Sequence, residues 1–237
     1  MKMRYNYCIL KRKGLLLMTN NEIMSHIDHT QLKAVSTKAD IDALCIEAEK
    51  FGTASVCIPP AYVRYAREKF PRLNICTVIG FPLGYNTTEA KVIEAANAIV
   101  DGADEIDMVI NLGMVKNGEF DEVTREIAAV KKICGSHILK VIVETCYLTD
   151  EEKIKLCECV TEGGADYIKT STGFGTGGAK IEDIRLFKGH IGENVKMKAA
   201  GGVKSREDLE MFLEAGCERI GTSSAVKLLN NEEAGSY

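Results

Sequence analysis

Apolar and polar positions recur along the chain in one repeating beat. A short apolar run is followed by a polar turn and then by a stretch with apolar residues three and four apart. The beat starts near His26, and residues 26–30 form its weakest strand-like run. Thr37 and Asp40 carry a helix-start signature, after which Ile41, Leu44, Cys45 and Ala48 share one helical face. The spacing then predicts strands at 55–58, 75–80 and 105–111, with helices at 61–70, 87–100 and 120–134. Residues 138–144 are almost continuously apolar, as a strand covered on both faces should be, and Asp150 opens the next helix. Strands at 167–172 and 195–203 follow, with helices from Ile181 and Ser205. An eighth strand at 219–224 leads into a short helix through Leu229. Alternating strands and helices predict an α/β fold with a parallel sheet, and eight units predict a closed (β/α)₈ TIM barrel. No composition break divides the beats, so residues 18–237 read as one domain.

Composition narrows the function classes. The chain has 237 residues, 46% hydrophobic and 27% charged, enough apolar material for a large core. A net charge of -4 and the lack of a basic stripe argue against a nucleic-acid binder. No apolar run approaches the roughly 20 residues of a membrane span. Nine scattered cysteines read as free thiols in a reducing cytoplasm, since Cys157 and Cys159 lack zinc-site spacing. Residues 1–17, basic and then Leu15-Leu16-Leu17, read as a disordered extension rather than a signal peptide.

Two lysines carry the chemistry. Lys169 lies inside the strand-like run 167–172, just before Gly173, Gly175, Gly177 and Gly178. A buried ammonium is costly unless paired, so the choices are a partner such as Asp166, a snorkelling strand-end lysine, or an amine held for nucleophilic work. Lys198 occupies nearly the same place in the next strand. In a parallel barrel the two ammonium groups would sit side by side, pushing one towards neutrality. Asp107, in the fourth strand, is the candidate proton donor and acceptor, although its early position would place it beneath the lysines; the bland reading is a buried ion pair. The loops after the last strands offer Gly201, Gly202, Gly221, Ser223 and Ser224 as a phosphate cradle, against a plain reading as turn glycines and a helix cap. His26 and His29 around Asp28 lack the partners of a metal site, so neither metal nor cofactor is expected. Cys57 reads as a small hydrophobe, and the terminal Tyr237 as a frayed end or a phenol that dips into the site.

The motifs as a set, residues 76–84, 102–111, 140–145, 169–178 and 198–203, closely resemble the deoxyribose-phosphate aldolase family. The resemblance spans about residues 26–229. It implies a class I aldolase that reversibly cleaves 2-deoxy-D-ribose 5-phosphate to D-glyceraldehyde 3-phosphate and acetaldehyde. By that pattern Lys169 forms the Schiff base, Lys198 perturbs it and Asp107 transfers protons. Thr172, Gly173, Gly201, Gly202, Gly221, Ser223 and Ser224 then face the substrate and its phosphate. Some members carry a lysine where this chain has Phe174, and Lys204 is a nearby source of charge. The expected partners are small sugar phosphates and aldehydes, with a homo-oligomer, a dimer first, as the assembly. Two rival readings are another lysine-dependent sugar-phosphate aldolase and a non-catalytic phosphosugar-binding barrel.

Overall fold

A computed structural model describes residues 18–229; the expected extension at 1–17 and Tyr237 lie outside them. Eight parallel strands close into a barrel in chain order, with β8 pairing back onto β1. They are β1 Ile27–Thr30, β2 Ser55–Ile58, β3 Ile75–Ile79, β4 Glu105–Val109, β5 Ile138–Ile142, β6 Tyr167–Lys169, β7 Lys196–Ala200 and β8 Cys217–Thr222. The expected helices are α2 Lys38–Phe51, α3 Val63–Lys69, α4 Thr88–Val100, α6 Phe120–Cys134, α7 Asp150–Glu162, α8 Ile181–His190, α9 Arg206–Glu214 and α10 Ala225–Leu229. The N-caps Thr37, Thr149 and Ser205 each form a reciprocal capping box with an acidic residue three positions on, satisfying N–H groups that the helix itself leaves unpaired.

Two helices were not legible in the apolar pattern: α1 Asn20–Met24 and α5 Leu112–Lys116. Each has five residues, too few for a 3.6-residue period to show. α1 buries Ile23 and Met24, and Arg206 Nη2 donates to the Met18 carbonyl at 2.6 Å. β6 is shorter than expected and ends at Lys169, although Thr170, Ser171 and Thr172 remain buried beyond it.

The main apolar core lies between barrel wall and helix ring. Outward strand residues such as Ile106, Val141, Ile168 and Ile220 pack with Ile41 of α2, Ile127 of α6 and Phe187 of α8. Burying one such side chain contributes about 1.5–3 kcal/mol, so this layer holds the ring to the barrel. Barrel interiors are usually filled by bulky aliphatic side chains. Here much of the interior is occupied by charge instead.

Candidate active site

Lys169 and Lys198 are register partners on β6 and β7, so the matched height expected for them is present. Both ammonium groups donate to one oxygen, Oδ2 of Asp107, each at 2.7 Å. Asp107 is the middle residue of β4 and is fully buried, and from there it meets both lysines directly. Asp166 is not the partner of Lys169, because it pairs with Lys131 at 2.6 Å and accepts from the Leu139 N–H.

The cluster is larger than the sequence reading foresaw. Lys140 of β5 donates to Asp107 Oδ1 at 2.8 Å and lies 2.5 Å from Glu105. Asp28 of β1 lies 2.5 Å from the Lys198 ammonium, and Arg219 of β8 reaches Asp28 at 2.6 Å and Glu105 at 2.9 Å. Four cationic side chains thus face three carboxylates inside the barrel. Lys140 is a charged residue in an otherwise apolar strand, the same signal that singled out Lys169. Asp28 was obscured by its histidine neighbours. Strand alternation resolves that: Asp28 faces inward, whereas His29 points out to Glu47 of α2 at 2.8 Å.

Burial disfavours charge on all these groups, but their partners prevail at several positions. Burial would raise Asp107, yet Lys140, Lys169 and Lys198 hold it well below the usual carboxylate range. Asp28 is depressed by Lys198, Lys140 and Arg219 against the same desolvation. Burial would likewise lower Lys140 and Lys198, but the carboxylates, Asp107 foremost, raise both above an ordinary lysine. Lys198 is therefore a standing cation beside Lys169. Lys169 pairs with a single carboxylate, whereas Lys140 and Lys198 each approach more than one.

The glycine-rich loops converge on the mouth. A Cβ on Gly201 would lie 3.5 Å from the Gly173 Cα, so the loops after β6 and β7 touch. At Gly178 a Cβ would come within 2.5 Å of the Gly201 carbonyl carbon, an approach only glycine permits. Ala200 pairs with Gly221, so the segment carrying Ser223 and Ser224 leaves the barrel beside the Gly201-Gly202 turn. Gly221 itself faces inward, where a Cβ would meet Lys198 Cε at 3.1 Å; it leaves room for the lysine stem. Ser223 and Ser224 also line a cavity of about 230 Å³ with Lys33, Asp40, Glu47 and Lys227, which Thr172, Gly173, Gly201 and Gly202 do not line.

The family model for DeoC/LacD aldolases matches residues 22–231. The chain belongs to that family. A relative named deoxyribose-phosphate aldolase from Clostridium botulinum is 60% identical over 93% of this chain and 100% of its own. Among solved structures, an aldolase designated QR15 superposes with a TM-score of 0.85 at 40% identity, covering 89% of this chain and 95% of its own. A tetrameric deoxyribose phosphate aldolase from Aeropyrum pernix superposes with a TM-score of 0.83 at 32% identity, covering 90% of this chain and 92% of its own.

Within this aldolase, Phe174 stands at the barrel mouth, edge-on to Phe81 with ring centroids 5.3 Å apart. Cys57 and Cys76 are register partners facing Asp107, and the donor atoms of the three lie within 4.8 Å of one another. Asp107 already accepts from three ammonium groups, and a cation placed there would face their repulsion. Among the described residues no helix is long and apolar enough to cross a membrane.

Proposed function

We propose that this chain cleaves 2-deoxy-D-ribose 5-phosphate reversibly to D-glyceraldehyde 3-phosphate and acetaldehyde, with Lys169 as the Schiff-base lysine. The observation that carries the reading is the placement of the Lys169 ammonium, buried at the end of β6 and sharing one Asp107 oxygen with the charged Lys198. Releasing one proton brings the four cations and three carboxylates to balance. Of the three lysines, Lys169 has the fewest carboxylate ion pairs, and it stands at the end of β6, towards the glycine loops.

The neutral amine adds to the substrate aldehyde carbonyl, and loss of water leaves an iminium. A base takes the proton from the hydroxyl on the third carbon. The bond between the second and third carbons breaks, its electron pair passing to the iminium, and glyceraldehyde 3-phosphate leaves an enamine on Lys169. Protonation at the second carbon and hydrolysis release acetaldehyde and restore the amine. Asp107, held ionised, offsets the iminium charge and keeps the Lys198 ammonium beside Lys169. The loops at Thr172-Gly173, Gly201-Gly202 and Ser223-Ser224 hold the phosphate, anchoring the carbonyl against the amine.

A cytoplasmic setting fits the eight cysteines that are unpaired thiols among the described residues. Self-association, a dimer first, would draw on exposed apolar side chains of α4 such as Ile93 and Val100. Borohydride reduction in the presence of acetaldehyde should leave an ethyl adduct of about 28 Da on Lys169, found by peptide mass spectrometry. Lys169→Ala should lose both the adduct and cleavage, the latter on the order of 10³-fold or more. A folded protein that cleaves the sugar phosphate without that adduct would overturn the mechanism, and a folded protein with neither adduct nor cleavage would favour a binding barrel.

A further inference from the structure

Glu144 stands at the carboxyl end of β5 with φ at 55°, the only non-glycine residue with positive φ among those described. Side chains rarely adopt that backbone region, and where they do the surroundings enforce it. Here the enforcing contacts run to the loop after β6. The Glu144 carboxylate accepts from the Thr172 N–H at 3.2 and 3.3 Å, and the Thr172 hydroxyl donates to its second oxygen. The same hydroxyl accepts from the Phe174 N–H at 2.9 Å, so Thr172 cannot turn round to donate elsewhere without releasing the turn. Gly175 lies directly over the carboxylate, since a Cβ there would sit 3.1 Å from Glu144 Cδ. The carboxylate is 2% exposed. At its far end the loop is held by the Ala179 N–H, which donates to the carbonyls of Ala200 and Gly201.

We propose that Glu144 is a positioning residue that sets the Thr172–Gly175 loop for the substrate phosphate, a role that rests on the phosphate reading of that loop. A carboxylate suits the task because it only accepts, and both the amide and the hydroxyl of Thr172 must donate to it. A glutamine there would turn a donor towards a hydroxyl already committed to Phe174. Burial raises Glu144 above an ordinary glutamate, against the bonds from Thr172 and the field of Lys169; Cys146 is the other titratable group against it. Acidification therefore protonates Glu144 before an exposed glutamate and weakens its hold on the loop.

The test compares 2-deoxy-D-ribose 5-phosphate with unphosphorylated 2-deoxy-D-ribose in wild-type protein, Glu144→Gln, Thr172→Val and the double variant. In Glu144→Gln the KM for the phosphorylated sugar should rise, lowering the ratio of kcat/KM values for the two sugars about tenfold, the loss expected for a charged acceptor. The double variant should be no worse than the more damaged single one, because both changes break the same contact. Wild-type KM for the phosphorylated sugar should rise on acidification more steeply than in Glu144→Gln, whose remaining slope is the substrate's own titration. Equal losses on both sugars, an unchanged ratio, or additive effects would overturn the proposal. Borohydride trapping at Lys169 in Glu144→Gln separates the two readings. An adduct with an unchanged ratio removes only the Glu144 role, whereas no adduct in wild-type protein removes the Schiff-base reading beneath it.

Discussion

A lysine beside a permanent cation behaves differently from one beside a carboxylate alone, and Lys169 has both neighbours. Lys198 is held charged by Asp107 and Asp28 in spite of burial. Its positive charge lies beside Lys169, on the Asp107 oxygen that the two share. Lys198→Met removes that charge and leaves Asp107 with Lys140 and Lys169 as its cationic partners. It should lower kcat of the proposed reaction by about 10²-fold. Steady-state kinetics on folded protein check it, and an unchanged kcat would count against a part for Lys198 in the reaction. At this scale the sequence was informative where a charge interrupts an apolar run, which marks Lys169 and Lys198. Lys140 bears the same mark, inside a strand whose apolar run reads as buried wall. Asp28 sits in the weakest strand-like run and Arg219 opens the expected eighth strand, where a charged residue is ordinary, so their inward direction left no local trace.

Loop geometry belongs to the scale of elements. The β6 and β7 loops approach so closely at Gly178 and Gly201 that neither can carry a side chain between them. In Gly178→Ala the new methyl would fall 2.5 Å from one backbone atom and 2.6 Å from the next, and backbone cannot turn aside as a side chain can. The expected cost is about 1–3 kcal/mol of stability, with a higher KM for the phosphorylated sugar as the loops part. Thermal denaturation and kinetics on both sugars would show it; a variant with wild-type Tm and KM would mean the loops separate freely. The glycine clusters were visible in the sequence as turn signals. That two of them share one contact was not, because the approach arises between loops rather than within either.

Across the whole molecule, the charged barrel interior ties stability to pH from both sides. Asp107 and Asp28 have folded values below the ordinary carboxylate value of about 3.9, so their contribution is present above it and lost as pH falls through the folded values. Lys140 and Lys198 have folded values above about 10.4; their contribution is present below that and lost as pH rises through the folded values. Stability should therefore hold on a broad plateau between these limits. Lys140→Met leaves Glu105 and Asp107 short of a cation, an imbalance that costs about 3–5 kcal/mol when a buried pair is broken. It should also raise the acid-unfolding midpoint, since Asp107 loses the Lys140 ammonium and moves back towards an ordinary carboxylate. Denaturant titrations across pH measure both effects; an unchanged midpoint would show that Lys140 does not hold Asp107 ionised.

The chain by itself determined the barrel and the pairing of its two key strands. Strand and helix periods are local properties, and in a parallel barrel chain order dictates which strands adjoin, so Lys169 and Lys198 had to be neighbours. Only closure decided who faces them. Asp107 meets Lys198 across 91 positions, and Asp28 meets Arg219 across 191, once β8 returns to β1. Those contacts depend on the inward or outward phase of each strand and on the tilt of strands across the barrel. Both are fixed by packing the whole ring of helices, which no single segment encodes.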